Sequence, residues 1–141
     1  MQNRKQGFKK AISDKGKGKV EGLVLELPYE ITAEGNLDRL NEFMESHPDV
    51  DALFFATNYL GILGIQYTLR KQLSIPDDIA LVSFDDHDLF RLQKIRITVV
   101  AQPIEKMAAE AIDILMKLMA GEPSVLIQKT ISPEILIRDS A

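Results

Sequence analysis

The run Ile79-Ala80-Leu81-Val82-Ser83-Phe84 ends abruptly on Asp85-Asp86-His87-Asp88, and this junction limits the fold more than any other stretch. A short, nearly all-apolar and β-rich run without alternation is the pattern of a strand buried on both faces of a parallel sheet. Carboxylates where such a strand ends mark a polar sheet edge. In open α/β sheets, ligands bind outside the carboxyl ends of the strands.

Reading outward from that junction, strand-like and helical patterns alternate. Residues 3–13 form a helical pattern with Phe8, Ala11 and Ile12 on one side. Residues 14–18 carry two glycines and predict a turn, and residues 20–27 a strand. Gly16 and Gly18 do not form a phosphate loop, because no Gly-Lys-Ser/Thr follows and no strand precedes. Thr32 caps a helix over 33–46, with Leu37, Leu40, Phe43 and Met44 inward and His47-Pro48 at its end. Residues 51–57 read as a second buried strand, followed by a helix over 59–72. Residues 88–96 are irregular and polar, and 97–101 a strand.

Pro103 opens a helix reaching Met119. It carries a wide apolar stripe (Ile104, Met107, Ala108, Ala111, Ile112, Leu115), and Gly121 closes it. The methionines there are packing residues. Residues 125–127 and 134–138 are two last strand-like runs. This alternation predicts an α/β fold, a parallel sheet with helices on both faces.

Composition removes several classes of function. The 141 residues contain no cysteine, so disulfides and thiolate metal sites are excluded. No apolar run approaches the roughly 18 residues that a membrane helix needs. The net charge of −4 argues against a nucleic-acid surface, although Arg4, Lys5, Lys9, Lys10, Lys15, Lys17 and Lys19 crowd the first twenty residues. Without interleaved aromatics those cations read as a solvated helix face.

Ser83, Asp85 and His87 lie two apart on one strand end and cannot converge as a catalytic triad. Asp85, Asp86, His87 and Asp88 lack the glycine turn and distal glutamate of a calcium loop. No catalytic residue, metal or cofactor is expected.

The series Ala56-Thr57-Asn58, Pro76-Asp77-Asp78-Ile79-Ala80-Leu81-Val82, Ser83-Phe84-Asp85-Asp86 and Thr98-Val99-Val100-Ala101-Gln102-Pro103-Ile104 resembles the effector-binding domain of the lactose/galactose-repressor family. Each piece is weak alone; together they cover about residues 53–119. The resemblance implies a periplasmic-binding-protein-like fold of type I, two α/β subdomains with an effector in the cleft between them. On that pattern residues 1–101 belong to the second subdomain, lacking its first strand. Residues 102–124 cross to the first subdomain and supply a helix there, and 125–141 return as strands.

The implied function is sensing of a small-molecule effector, a sugar or similar polar metabolite, in a cytoplasmic transcription regulator. Operator DNA would be met only through an N-terminal reader outside this chain, and no membrane partner is implied. The alternative is a periplasmic sugar-binding protein of a transport system. The effector residues implied are Asp85, Asn58, Arg4 (the arginine before Gly7-Phe8) and Gln102. Ile31 stands where the family often has an aromatic sugar platform, with Tyr29 two residues away. Tyr59 replaces the more usual aspartate after Asn58.

A homodimer is also implied, through Leu60, Leu63 and Tyr67 of the 59–72 helix and Leu89 and Phe90 of the following segment. The apolar residues nearly all round that helix suit the contact, since a helix covering a sheet needs only one such stripe.

Overall fold

The computed structural model describes residues 2–15, 22–121 and 128–141. Its sheet is built around β2 (Ala80–Phe84), which pairs in parallel with β1 (Ala52–Phe55) on one side and β3 (Thr98–Ala101) on the other. A last strand, β4 (Glu134–Leu136), adds antiparallel to β3, giving the order β1-β2-β3-β4. Apolar side chains alternate across these strands and so offer two faces to bury.

The two faces are covered unequally. Phe55, Leu81 and Ser83 point to a face that is fully buried, whereas Val82 and Phe84 are half-buried and Phe54 is exposed at 38%. The first face carries α3 (Asn58–Lys71), with α2 (Ala33–Ser46) packed beside it. Two glycines let α3 come so close. A Cβ at Gly61 would lie 2.6 Å from Ser83 Oγ, and one at Gly64 would lie 2.3 Å from the Phe55 ring. The opposite face carries α1 (Gln2–Lys15), whose Phe8 stacks on Phe54 with ring centroids 6.3 Å apart. Helices therefore lie on both faces, as the alternation of elements predicts. The expectation that β2 is buried on both faces is met fully on one and partly on the other, because α1 buries none of its residues.

The chain's end locks the sheet. Ser140, fully buried, accepts from Thr98 N at 2.8 Å and donates to Leu81 O, while its own carbonyl accepts from Leu81 N at 2.9 Å. One serine thus satisfies backbone groups of β2 and β3 just before their ladder begins, where unpaired donors would be costly.

Several local expectations hold. Thr32 caps α2, its hydroxyl accepting from Gly35 N at 3.2 Å, and Gly121 takes φ +78° just past the end of α5 (Ile104–Met119). Others do not. The strand expected over 20–27 is absent over 22–27: Leu25 and Leu27 pack against the core, yet the segment joins no ladder. A strand needs a hydrogen-bonded neighbour, and among the described residues none runs beside it. Residues 88–92, expected to be irregular, form the short helix α4 (Asp88–Leu92), too brief to show a period. The strand expected over 125–127 and most of the turn over 14–18 lie outside the described residues.

The expected dimer surface also needs correction. Leu63, Tyr67 and Phe90 are only 2%, 6% and 0% exposed in the single chain, so they are core residues and present nothing to a partner. The helix looks apolar all round because α3 packs against the sheet, α2 and the Phe90 ring of α4, which bury most of its apolar residues and leave Tyr59 and Leu69 exposed. Leu60 is half-buried, and Leu89 alone of the five is exposed.

Leu63→Asp should therefore unfold the chain rather than dissociate it. An unpaired carboxylate among Leu63's neighbours costs about 4 kcal/mol or more. Urea unfolding followed by circular dichroism checks this; a normal transition accompanied only by a smaller sedimentation coefficient would contradict it.

Candidate functional site

The polar edge at the end of β2 is shaped by backbone. Asp85 sits at φ +68°, the left-handed region, while its N–H still donates to Val100 O at 3.0 Å. Aspartate tolerates that conformation better than most residues because its short polar side chain can bond locally. The reversal sends Asp85 and Asp86 to different partners.

Asp85 faces the half-covered side of the sheet. Its carboxylate accepts from Arg4 Nη1 at 3.2 Å and from Gln102 Nε2, with both members of the Arg4–Asp85 pair about 25% exposed. Arg4 comes from α1, and the same Nη1 donates to Ala56 O at the end of β1. Gln102 follows β3 directly. Three strand ends and one helix thus converge on one carboxylate that water still reaches.

Asp86 turns to the chain terminus. It accepts from both terminal guanidinium nitrogens of Arg138, at 2.9 and 2.7 Å, from Arg91 at 3.0 Å and from His87 N at 2.9 Å. The side chains of Asp86 and Arg138 are 12% and 13% exposed. Hydrogen bonding by Arg138 holds the Asp86 carboxyl below the ordinary carboxylate range, against the opposing pull of burial. This pair is a fastener between β2 and the returning chain.

The other expected residues are placed as follows. Thr57, not Asn58, caps α3, accepting from Leu60 N at 3.3 Å; Asn58 is the helix's first residue, and its Oδ1 accepts from Tyr59 N at 2.8 Å. Its amide N–H groups make no hydrogen bond among the described residues. Tyr29 is 87% exposed, with its ring 6.4 Å from that of Tyr59. Ile31 is half-buried. Both lie on a loop pinned by Asn36, whose Nδ2 donates to Pro28 O at 3.1 Å.

His47 ends α2 with Nδ1 on Phe43 O at 2.8 Å, and His87 caps α4, accepting from Leu89 N at 3.1 Å. Ser83 is fully buried, and its hydroxyl donates to Thr57 O or Phe84 O. Neither histidine is poised as a base for it. Among the described residues no cluster of histidine and carboxylates is arranged to hold a metal ion.

Three participants escaped the sequence: Phe84 beneath Arg4, Asn36 and Arg138. Arg138 lies 52 positions from Asp86, beyond any local pattern. Asn36 reaches back to loop backbone, a contact that helical periodicity does not mark. Two cavities border the partners of Asp85, one at Gln102 and one at Arg4, and Asp85 itself lines neither. One of about 320 Å³ is bordered by Phe84, Gln102, Met107 and Ile131. The other, about 870 Å³, runs along β1 from Arg4 and Phe8 past Leu23 and Leu25. Neither by itself collects Arg4, Asp85 and Gln102.

The lowered pKa of Asp86 sets a pH dependence. A carboxyl more acidic folded than unfolded stabilises the fold above its unfolded pKa of about 3.9, and that stabilisation is lost as pH falls through the lower folded value. Asp86→Asn should cost about 3 kcal/mol at pH 7 by stranding Arg138. The gap from wild type should begin to narrow below about pH 4 and go on shrinking as pH falls toward the lower folded value. Urea melts across pH test this, and a gap unchanged down to pH 2 would contradict it.

A family model described as a periplasmic binding protein-like domain matches residues 1–141. Among curated relatives, the HTH-type transcriptional regulator CelR of Thermobifida fusca is 27% identical over 97% of this chain and 40% of its own length. MalR of Clostridium butyricum, also an HTH-type transcriptional regulator, is 29% identical over 97% of the chain and 40% of itself. The chain thus spans about 40% of the length of these relatives. Among solved structures, a LacI family transcriptional regulator from Lactobacillus casei with bound sucrose superposes with a TM-score of 0.73 at 28% identity, over 99% of this chain and 51% of that one.

Proposed function

From the premise that the chain belongs to the periplasmic binding protein-like domain family, in the branch of LacI-type regulators, we propose that it is the effector-sensing part of a sugar-responsive transcription regulator. The observation that carries this is the partly exposed Asp85 carboxylate, set by a left-handed backbone at the sheet's carboxyl edge and flanked by Arg4 and Gln102. An ionised carboxylate accepts strongly from ligand hydroxyls, and guanidinium and amide groups beside it can donate to their oxygens. Asn58 offers its amide from the start of α3. Tyr29 and Ile31 stand on the neighbouring loop as the apolar side of the pocket.

The relatives being regulators favours this over a transport role, and sucrose in one of the solved structures supports a saccharide as effector. The chemistry is recognition, without turnover. DNA would be engaged by a separate reader, in the cytoplasm where operators are; no described helix is long and apolar enough to cross a membrane.

On this reading residues 1–101 form most of the second subdomain, 102–124 cross to the first, and 125–141 return. Two features support it. Helix α5 buries none of its residues, with Ile104, Ile112, Leu115 and Met116 each more than half exposed, as suits a helix whose own sheet lies elsewhere. β1 has no partner on its outer edge among the described residues, and the 870 Å³ groove lies there, the place for the subdomain's first strand.

A homodimer follows from the two-fold operators such regulators read. With Leu63, Tyr67 and Phe90 buried, its contact would rest on Leu89 and Leu92 of α4 and Leu69 of α3, which are 42%, 79% and 70% exposed. Leu92→Asp should then give monomers of normal stability by analytical ultracentrifugation. Dimers that persist in this variant would remove α4 from the interface.

In the full-length regulator, Asp85→Ala should weaken saccharide binding by about 1.5–3 kcal/mol, the worth of hydrogen bonds to a charged group. Asp86→Ala should act on stability instead. Calorimetry with a panel of mono- and disaccharides, on variants checked for folding, measures both; equal affinity losses would sink the assignment.

A further inference from the structure

Arg4 has an unusual support. Helix α1 buries none of its residues, so no core packing fixes the guanidinium's position. What lies beneath it is an aromatic ring: Arg4 Cζ stands 3.6 Å from the centroid of Phe84. Arg4 and Phe8 are one helical turn apart, and each rests on a ring of the same sheet face, Phe84 on β2 and Phe54 on β1. These two stacks hold α1 at the end of the sheet where Asp85 begins.

We propose that Phe84 is the positioning residue of the effector site, holding the Arg4 guanidinium flat so that its edge is aimed at Asp85 and at the ligand. This rests on the functional reading above and adds a residue to it. A guanidinium lying over a ring is attracted through its face and keeps its N–H groups free in its own plane. Nη1 is spent on Ala56 O and Asp85, while Nε and Nη2 make no hydrogen bond among the described residues. Stacking therefore leaves three of the five donors directed along the plane for ligand oxygens. Phe84 also borders the 320 Å³ cavity beside Gln102, so one ring links both polar arms of the site. The carboxylate that follows it in the chain is placed by the same strand end.

The test has a readout that needs no ligand. In the 141-residue chain, the Nε–Hε resonance of Arg4 should be shifted upfield by the Phe84 ring current and show a rigid heteronuclear NOE. Phe84→Leu should abolish both; Phe84→Tyr, which keeps the ring, should retain them. Phe84→Met serves as a second non-aromatic variant if the leucine variant melts early.

In the full-length regulator, the best-binding saccharide from a panel that includes sucrose and cellobiose should bind Phe84→Leu about tenfold more weakly and Phe84→Tyr nearly as wild type. Phe84→Leu should add little to the loss already caused by Arg4→Gln. An unshifted or mobile Arg4 resonance in wild type, or one unchanged by removing the ring, overturns the proposal. So does undiminished saccharide binding by a folded Phe84→Leu. If wild type binds no saccharide, the functional reading fails by itself, and the Arg4 resonance still decides the positioning.

Discussion

The backbone reversal at Asp85 is the constraint on which the rest depends. β2 must stay regular through Phe84 to hold parallel ladders on both sides, and it must then stop within one residue. A left-handed aspartate does this, keeping its N–H in the sheet through Val100 O while swinging its carboxylate away from that of its neighbour. Here each has its own cation, Arg4 for Asp85 and Arg138 for Asp86, and the environments differ in kind. The Asp86 pair is nearly closed to water and serves the fold. The Asp85 pair stays wet and leaves donors unused, which is what a recognition site needs.

That division is matched by the two faces of the sheet. On the face of Phe55 and Ser83, glycines draw α3 into contact and α2 seals its side, so the core is dry and specified by shape. On the face of Phe54 and Phe84, α1 touches through two stacked groups and leaves open grooves to either side. The rigid face holds the strand ends in place, and the looser face presents them. A site built this way borrows its precision from the buried side. The carbonyls and amides of β2 and β3 that would be left over where their ladder begins are taken by Ser140 from the chain's far end.

Much of this was legible from local pattern. Apolar runs of four to six residues gave the three parallel strands, Thr32 gave the start of α2, and the Asp85-Asp86 pair at a strand end gave the polar edge. The reading faltered where an element depends on something outside its own sequence. Residues 20–27 have strand composition, but a strand is a property of a pair, and over the described 22–27 the segment pairs with no other described residues. The 59–72 helix showed apolar residues on all sides, a pattern that fits either a second partner or a crowded core, and α4 was too short to reveal that it is the crowding element. Arg138, Ser140 and Asn36 act through contacts with residues distant in sequence or with loop backbone, and neither distance nor backbone geometry is written in periodicity. Phe84 was visible only as one more apolar residue of a strand, because a ring's use as a platform depends on which side chain lies above it.

The central claim is that the Asp85 carboxylate, presented by Arg4 and Gln102, is where effector hydroxyls are read. A crystal structure of the proposed full-length regulator with a bound saccharide tests it most directly. The account predicts Asp85 accepting from ligand hydroxyls at about 2.5–3.0 Å, with the Arg4 edge donating to the same ligand and Asp86 still closed on Arg138. A ligand bound elsewhere, with Asp85 engaged only by Arg4 and Gln102, would contradict it.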